Sequence, residues 1–293
     1  MEADLFGGLD SMGLKDLTED LDIYEEEEEK KEEEAPAPVK KVTNEKKVTE
    51  ADLVFDKTFT CPVCNEKFKS KMMRAGKAKS IGSDLDLRPR YEVVDAMKYD
   101  ILACPYCGYA GRQDNYTFLT PVQRKLIKEN ICESFVPRLS SWNDDTYTYE
   151  EAIERHKLAL VSAIVKKGRA SEKSFICLRT GWLYRGAAEN LKKGPNYEKI
   201  LAEYQRTEKQ FLKSAYDGFI KARASEHYPI CGMDESTLDY LLIALAIGFD
   251  EFDTAKSLMN QMLSNKATSS RIKNKIVELK ELMQSKMENE NPV

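Results

Sequence analysis

The chain has no run of about 18 apolar residues and no basic-then-apolar signal pattern at its start. Membrane spanning and secretion are therefore not expected, and the chain is read as cytoplasmic. It has only two histidines, His156 and His227, neither beside a cysteine motif. No GxSxG elbow and no glycine-rich phosphate loop occur. Hydrolase and nucleotide-binding constellations thus lack their parts, and no enzymatic activity is expected.

What is present is unevenly distributed. Apolar residues make up 42% and charged residues 32%, as in a soluble globular protein. Residues 1–50 hold 17 Asp or Glu against 7 Lys or Arg, a net of −10, so the rest carries +5 of the overall −5. Glu25 to Glu29, Glu32 to Glu34 and an Ala-Pro-Ala-Pro segment ending at Pro38 mark 1–50 as an acidic disordered tail. One interruption is Leu5, Leu9 and Met12 at i, i+4 and i+7, with Leu14, Leu17 and Leu21 following. That spacing suits a short helix folding on a partner, or incidental apolar residues.

Residues 51–118 change character. Extended stretches at Val54–Phe59, Tyr91–Val94 and Tyr99–Leu102 flank two cysteine pairs, Cys61-Pro-Val-Cys64-Asn65 and Cys104-Pro-Tyr-Cys107-Gly108. Two thiolates two residues apart grip one ion from a tight turn, and two such turns complete a tetrahedron of sulfur. Proline sets φ within each turn, while Asn65 and Gly108 tolerate positive φ and let N–H groups face the sulfurs. One Zn2+ held by Cys61, Cys64, Cys104 and Cys107 is the expected cofactor, with iron as the alternative. Four thiolates leave no open coordination position, so the site should be structural, and loss of Cys104 should unfold the module while sparing the rest. Cys132, Cys177 and Cys231 are read as small buried hydrophobes.

Between the pairs, Lys67, Lys69, Lys71, Arg74, Lys77 and Lys79 occur without an acid, and Arg88 and Arg90 follow. They form either a phosphate-facing surface for nucleic acid, with Phe68 and Tyr91 as stacking groups, or a solvated face diluted by Asp84, Asp86, Glu92 and Asp95.

Residues 119–293 are helical in pattern. Thr120 is a cap with Pro121 at the first helical position, and helices are predicted near 121–135, 149–166, 172–192, 197–224, 236–248, 251–264 and 269–287. Leu238, Leu241, Leu242 and Leu245 share one face; Phe252, Ala255, Leu258, Met259 and Met262 share the next; Ile272, Ile276, Leu279 and Met283 repeat the pattern. His156 lies on such an apolar face and is read as a core histidine, while His227 is read as a local cap. The Leu245-to-Ala255 stretch is similar to a tetratricopeptide hairpin without a strict 34-residue period. The fold class expected is mainly α: a small zinc-ribbon-like β module followed by a tetratricopeptide-like antiparallel helical array.

Cys61-Pro-Val-Cys64, the basic spacer, Lys98-Tyr-Asp100, Cys104-Pro-Tyr-Cys107-Gly-Tyr-Ala110 and Trp182-Leu-Tyr-Arg185 together resemble the bacterial family known as domain of unknown function 2225. The resemblance runs from about Phe55 to the last helix, with Asn65 where glycine is more usual. It implies a cytoplasmic zinc module joined to tetratricopeptide-like helices, with no activity to carry over. The expected role is a scaffold that binds a protein or peptide partner through the helical region; the alternative is nucleic-acid binding by the basic spacer 67–90, regulated by the acidic tail folding back over it.

Overall fold

The computed structural model describes residues 5–19, 21–24, 48–136, 145–266 and 268–290. Both glutamate runs, Glu25 to Glu29 and Glu32 to Glu34, and the Ala-Pro-Ala-Pro segment lie outside these residues.

The first described segment corrects the reading of 1–50 as tail from its start. Its predicted helix is broken into a 3-10 turn, Asp10–Met12, and one turn of α-helix, α1 (Lys15–Glu19), because Gly13 ends the first in the left-handed region at φ 76°. The segment lies on its own chain: Phe6, Leu9, Met12, Leu14 and Ile23 are buried in the same core as the helices. Burying these side chains offsets the entropy of ordering that polar tails cannot meet.

A four-residue helix, α2 (Glu50–Leu53), leads into β1 (Val54–Thr60), which pairs antiparallel with β2 (Lys67–Met73) from Val54↔Met73 to Thr60↔Lys67. The lysine-rich β2 is a strand because its alternate residues Phe68, Ser70 and Met72 turn inward. A second hairpin follows, β3 (Ser80–Ser83) with β4 (Pro89–Tyr91), and a third, β5 (Ile101–Ala103) with β6 (Ala110–Arg112). The predicted stretch at Tyr91–Val94 therefore belongs mostly to the bend after β4. Tyr99 closes a 3-10 turn (Ala96–Tyr99) capped by Asp95, so β5 starts at Ile101.

The helices follow the predicted order with small shifts. They are α3 (Pro121–Ile127), α4 (Tyr149–Val165), α5 (Ala170–Glu189), α6 (Tyr197–Ser225), α7 (Glu235–Gly248), α8 (Phe252–Ser264) and α9 (Ser270–Glu290). Thr120 and Thr148 form reciprocal capping boxes with Gln123 and Glu151, and Asp234 accepts from the Thr237 N–H. The first predicted helix is shortened because α3 passes into a π-helical turn at Lys128–Cys132. Each helix from α4 to α8 packs on the next, and α9 closes against α7 and α8. The predicted faces of α7, α8 and α9 are inward, and α7 is buried nearly all round.

β5 and β6 lie against α4, and Ser162 on α4 accepts from the Ala110 N–H at 3.1 Å. One apolar cluster runs from Cys61 and Tyr109 through α4, α5 and α7 to Met283. The cysteine-bearing hairpins and the helices thus share a core.

Candidate metal centre

Each cysteine pair sits on the turn of a hairpin, and the two turns repeat one geometry. In the first, the Asn65 N–H donates to Cys61 O at 3.0 Å and the Cys61 N–H to Glu66 O at 3.0 Å. In the second, the Gly108 N–H donates to Cys104 O at 3.1 Å and the Cys104 N–H to Tyr109 O at 2.8 Å. Asn65 and Gly108 occupy the left-handed region at φ 64° and 75°. The Val63 N–H points at Cys61 Sγ from 3.4 Å, the support for a thiolate that the turn predicts.

These turns bring the four sulfurs within 4.8 Å of one another, with Cys61–Cys107 and Cys64–Cys104 each at 3.6 Å. A tetrahedron with metal–sulfur bonds of 2.3 Å has edges of about 3.8 Å, so the donor set fits a single ion. The sulfurs are far beyond disulfide length. Without an ion the thiols compete for protons. Hydrogen bonds from Cys104 and Cys107 hold Cys61 well below the ordinary thiol range, while those to Cys104, then Cys132, push Cys107 far up. A bound cation removes this conflict by stabilising all four as thiolates.

The turns differ in what covers them. A Cβ at position 108 would lie 2.5 Å from the Phe135 ring, which folds over the second turn from beyond the π-helical turn. Asn65 is exposed. Cys177 is buried as expected, and Cys132 and Cys231 are half-buried.

The basic spacer is largely consumed internally. Lys71 is buried and pairs with Asp56 at 3.0 Å, and Lys79 pairs with Glu92 at 2.8 Å. The Arg74 guanidinium lies over Phe55 at 5.4 Å, and its Nε donates to Asp52 O. Arg88, with its side chain only 4% exposed, forms a two-pronged pair with Glu189 on α5, which Arg90 also engages at 2.7 Å. Phe68 packs against Phe59 and Tyr116. Of the predicted phosphate contacts, Lys67, Lys69 and Lys77 remain exposed without a partner ion among the described residues. Lys71 and Arg88 are buried in ion pairs, and Arg90, with its side chain 39% exposed, is shared between Asp84 and Glu189.

A polar clamp that the sequence does not reveal ties the β3–β4 hairpin to the helices. Arg185 on α5 donates to Asp86 at 2.7 and 3.0 Å, to Asp84 at 3.0 Å and to Glu208 on α6 at 2.7 Å. Trp182 Nε1 donates to Asp86 Oδ2 at 3.0 Å. Against the opposing effect of burial, Arg90 and Arg185 hold the Asp84 carboxyl below its usual range, whereas burial raises that of Glu208. The Lys98-Tyr99-Asp100 motif is a second tie: Lys98 and Tyr99 both reach Glu50 at 2.5 Å, and Asp100 meets Arg179 at 3.3 Å.

Beside the clamp lies a groove of about 620 Å³ between the β3–β4 hairpin and α6, α7 and α9. Its floor is aliphatic and aromatic, including Leu212, Leu245, Phe249 and Leu279, and Gln205 and Lys209 stand exposed on its rim.

His156 is buried, with Nδ1 against Ala152 O at 2.7 Å, and is a core residue as predicted. His227 is exposed; the capping near it is done by Glu226, whose Oε1 accepts from the Ser171 N–H at the start of α5.

Two hairpins presenting four converging thiols, docked on a helical array, define a mainly α protein with a small candidate metal-binding module. The chain belongs to a family described as an uncharacterized protein conserved in bacteria, domain of unknown function 2225, whose model matches residues 54–283. No curated protein and no solved structure matches it. Among the described residues no helix is long and apolar enough to cross a membrane.

Proposed function

We propose that the protein is a non-enzymatic scaffold in which one Zn2+, held by Cys61, Cys64, Cys104 and Cys107, fixes the β hairpins against a tetratricopeptide-like helical array that binds a peptide. The metal half rests on the near-tetrahedral sulfur spacing, which leaves no position for substrate or water. Zinc is favoured over iron because a closed set of four thiolates from two tight turns is the usual donor set of structural zinc. Seven cysteines without a disulfide suit a reducing compartment, here the cytoplasm.

The observation that carries the scaffold half is the groove beside the β3–β4 hairpin. It offers apolar carbon and no histidine, cysteine or serine nucleophile poised by a base, and its Asp84 and Glu208 are held by Arg185. Lys209, on the rim and with no partner ion among the described residues, favours a peptide with an apolar anchor beside an acidic side chain. Elemental analysis of the purified chain should give one zinc per molecule; iron would overturn the metal assignment. Leu282 lines the α9 side of the groove, so selection from a displayed peptide library on the full chain should return apolar-acidic sequences that Leu282→Arg and Lys209→Glu no longer bind. Binding unchanged by both substitutions would remove the groove. Nucleic-acid binding keeps Lys67, Lys69 and Lys77 as exposed cations without a partner ion among the described residues, with Arg74 and Lys79 exposed but engaged within the chain.

A further inference from the structure

Residues 5–24 carry five acids and one lysine and rest on a lysine-bearing face of the helices. Lys157 Nζ on α4 donates to Gly7 O at 2.6 Å, and Lys221 Nζ on α6 to Tyr24 O at 3.3 Å. Lys173 and Lys221 flank the Tyr24 ring at 5.5 and 5.4 Å. The Tyr24 hydroxyl donates to Ser214 O at 2.5 Å and lies 3.0 Å from Ser174 Oγ. Gly218 makes room for it, since a Cβ there would come within 2.1 Å of that hydroxyl. At the other end the Val136 N–H donates to Met12 O at 2.9 Å, and Leu9, Met12 and Leu14 are fully buried. A tyrosine in a socket, apolar anchors upstream and complementary charge are the features of a peptide seated in a recognition site.

Two observations set the segment apart from the body that holds it. It lies wholly outside the family match at 54–283. It is joined to Val48 only through residues 25–47, about 23 residues that reach at most about 83 Å. On α6 its contacts at 214, 218 and 221 project about half a turn from the groove residues 205, 208, 209 and 212 at 100° per residue. The two surfaces are separate, so either can fail alone.

We infer that this face of α4, α5 and α6 is a second peptide-binding site, and that residues 5–24 are its tethered ligand. The ligand class is an acidic peptide with leucine or methionine anchors and a downstream acid-x-tyrosine, as in Asp22-Ile23-Tyr24. Tethering places the segment at an effective concentration on the order of millimolar, so a free peptide of equal affinity displaces half of it only near that concentration. Cutting the tether turns the same contact into an ordinary bimolecular equilibrium.

The test uses the full chain with a protease recognition sequence inserted between Pro38 and Val39, and a fluorescent synthetic peptide of residues 5–24. Before cleavage, micromolar labelled peptide should not bind. After cleavage and dilution the segment should leave, the remaining chain should keep its helical signal and cooperative melt, and the labelled peptide should rebind saturably. A Tyr24→Ala peptide should bind about thirty-fold more weakly, and Leu282→Arg in the body should change none of this. The inference is overturned if the body loses its cooperative melt once the segment leaves, or if the segment never leaves. It is equally overturned if cut and uncut chains bind the label alike or if Tyr24→Ala binds as well.

Discussion

Asn65 and Gly108 occupy equivalent places in the two cysteine turns and share a positive φ, yet they are not equivalent residues. Asn65 needs only tolerance of the left-handed region, whereas Gly108 must also leave space for the Phe135 ring. Gly108→Asn should therefore lower the stability of the metal-loaded chain by about 2–4 kcal/mol, from backbone strain plus overpacking, while Asn65→Gly stays within about 0.5 kcal/mol. Urea midpoints of the two variants check this. His156 gives a second prediction. Burial pushes its pKa down to about 3, so the native state resists a proton that the unfolded chain accepts below about pH 6.5. Its stabilising contribution is full above pH 6.5 and is lost toward pH 3, at up to about 1.4 kcal/mol per unit. Denaturant titrations at pH 7.5 and 5 should show this loss in the natural chain, and His156→Leu should flatten it. At this scale the sequence was informative wherever chemistry was local: the cysteine spacing, the turn formers and the apolar setting of His156 all act within a few residues.

The helices were legible as elements because each carries its own period and several carry their own caps, as at Thr120, Thr148 and Asp234. The strands were less so. β2 was hidden because a strand with one solvated face can alternate lysine with Phe68, Ser70 and Met72, and the lysines dominate the composition. Arg88 reads as a surface cation in the sequence because its partner, Glu189, is about a hundred residues away and no local pattern announces it; Arg90, with its side chain 39% exposed, shares that partner. The clamp at Arg185 is of the same kind. Asp86 accepts from both Arg185 and Trp182, so Asp86→Ala leaves Arg185 with fewer partners in a mostly buried site and should cost about 3 kcal/mol. Faster hydrogen exchange confined to the β3–β4 hairpin, with α7 unchanged, would locate that loss.

For the molecule as a whole, the shared core alters what metal removal should do. The cysteine motifs suggest a module that unfolds by itself and spares the helices. In the structure Cys61, Cys104 and Tyr109 belong to the same apolar cluster as α4 and α7. Cys104→Ser, or extraction of the ion by a chelator, should therefore lower the thermal midpoint of the helical signal and of the tyrosine signal together. Two separated transitions, with the helical one unmoved, would show that the hairpins are only appended. The docking of residues 5–24 was the least legible feature, because apolar spacing tells that a segment has something to bury without telling where.

The socket for Tyr24 is assembled from Ser174, Ser214 and Gly218, which are all made much later in synthesis. At 5–20 residues per second, roughly 10–40 s separate the appearance of Tyr24 on the ribosome from that of Gly218. A segment made early therefore cannot find its place until α6 is complete. During that interval its acidic, leucine-bearing stretch faces the surroundings of the ribosome, including other nascent copies that have already completed α6.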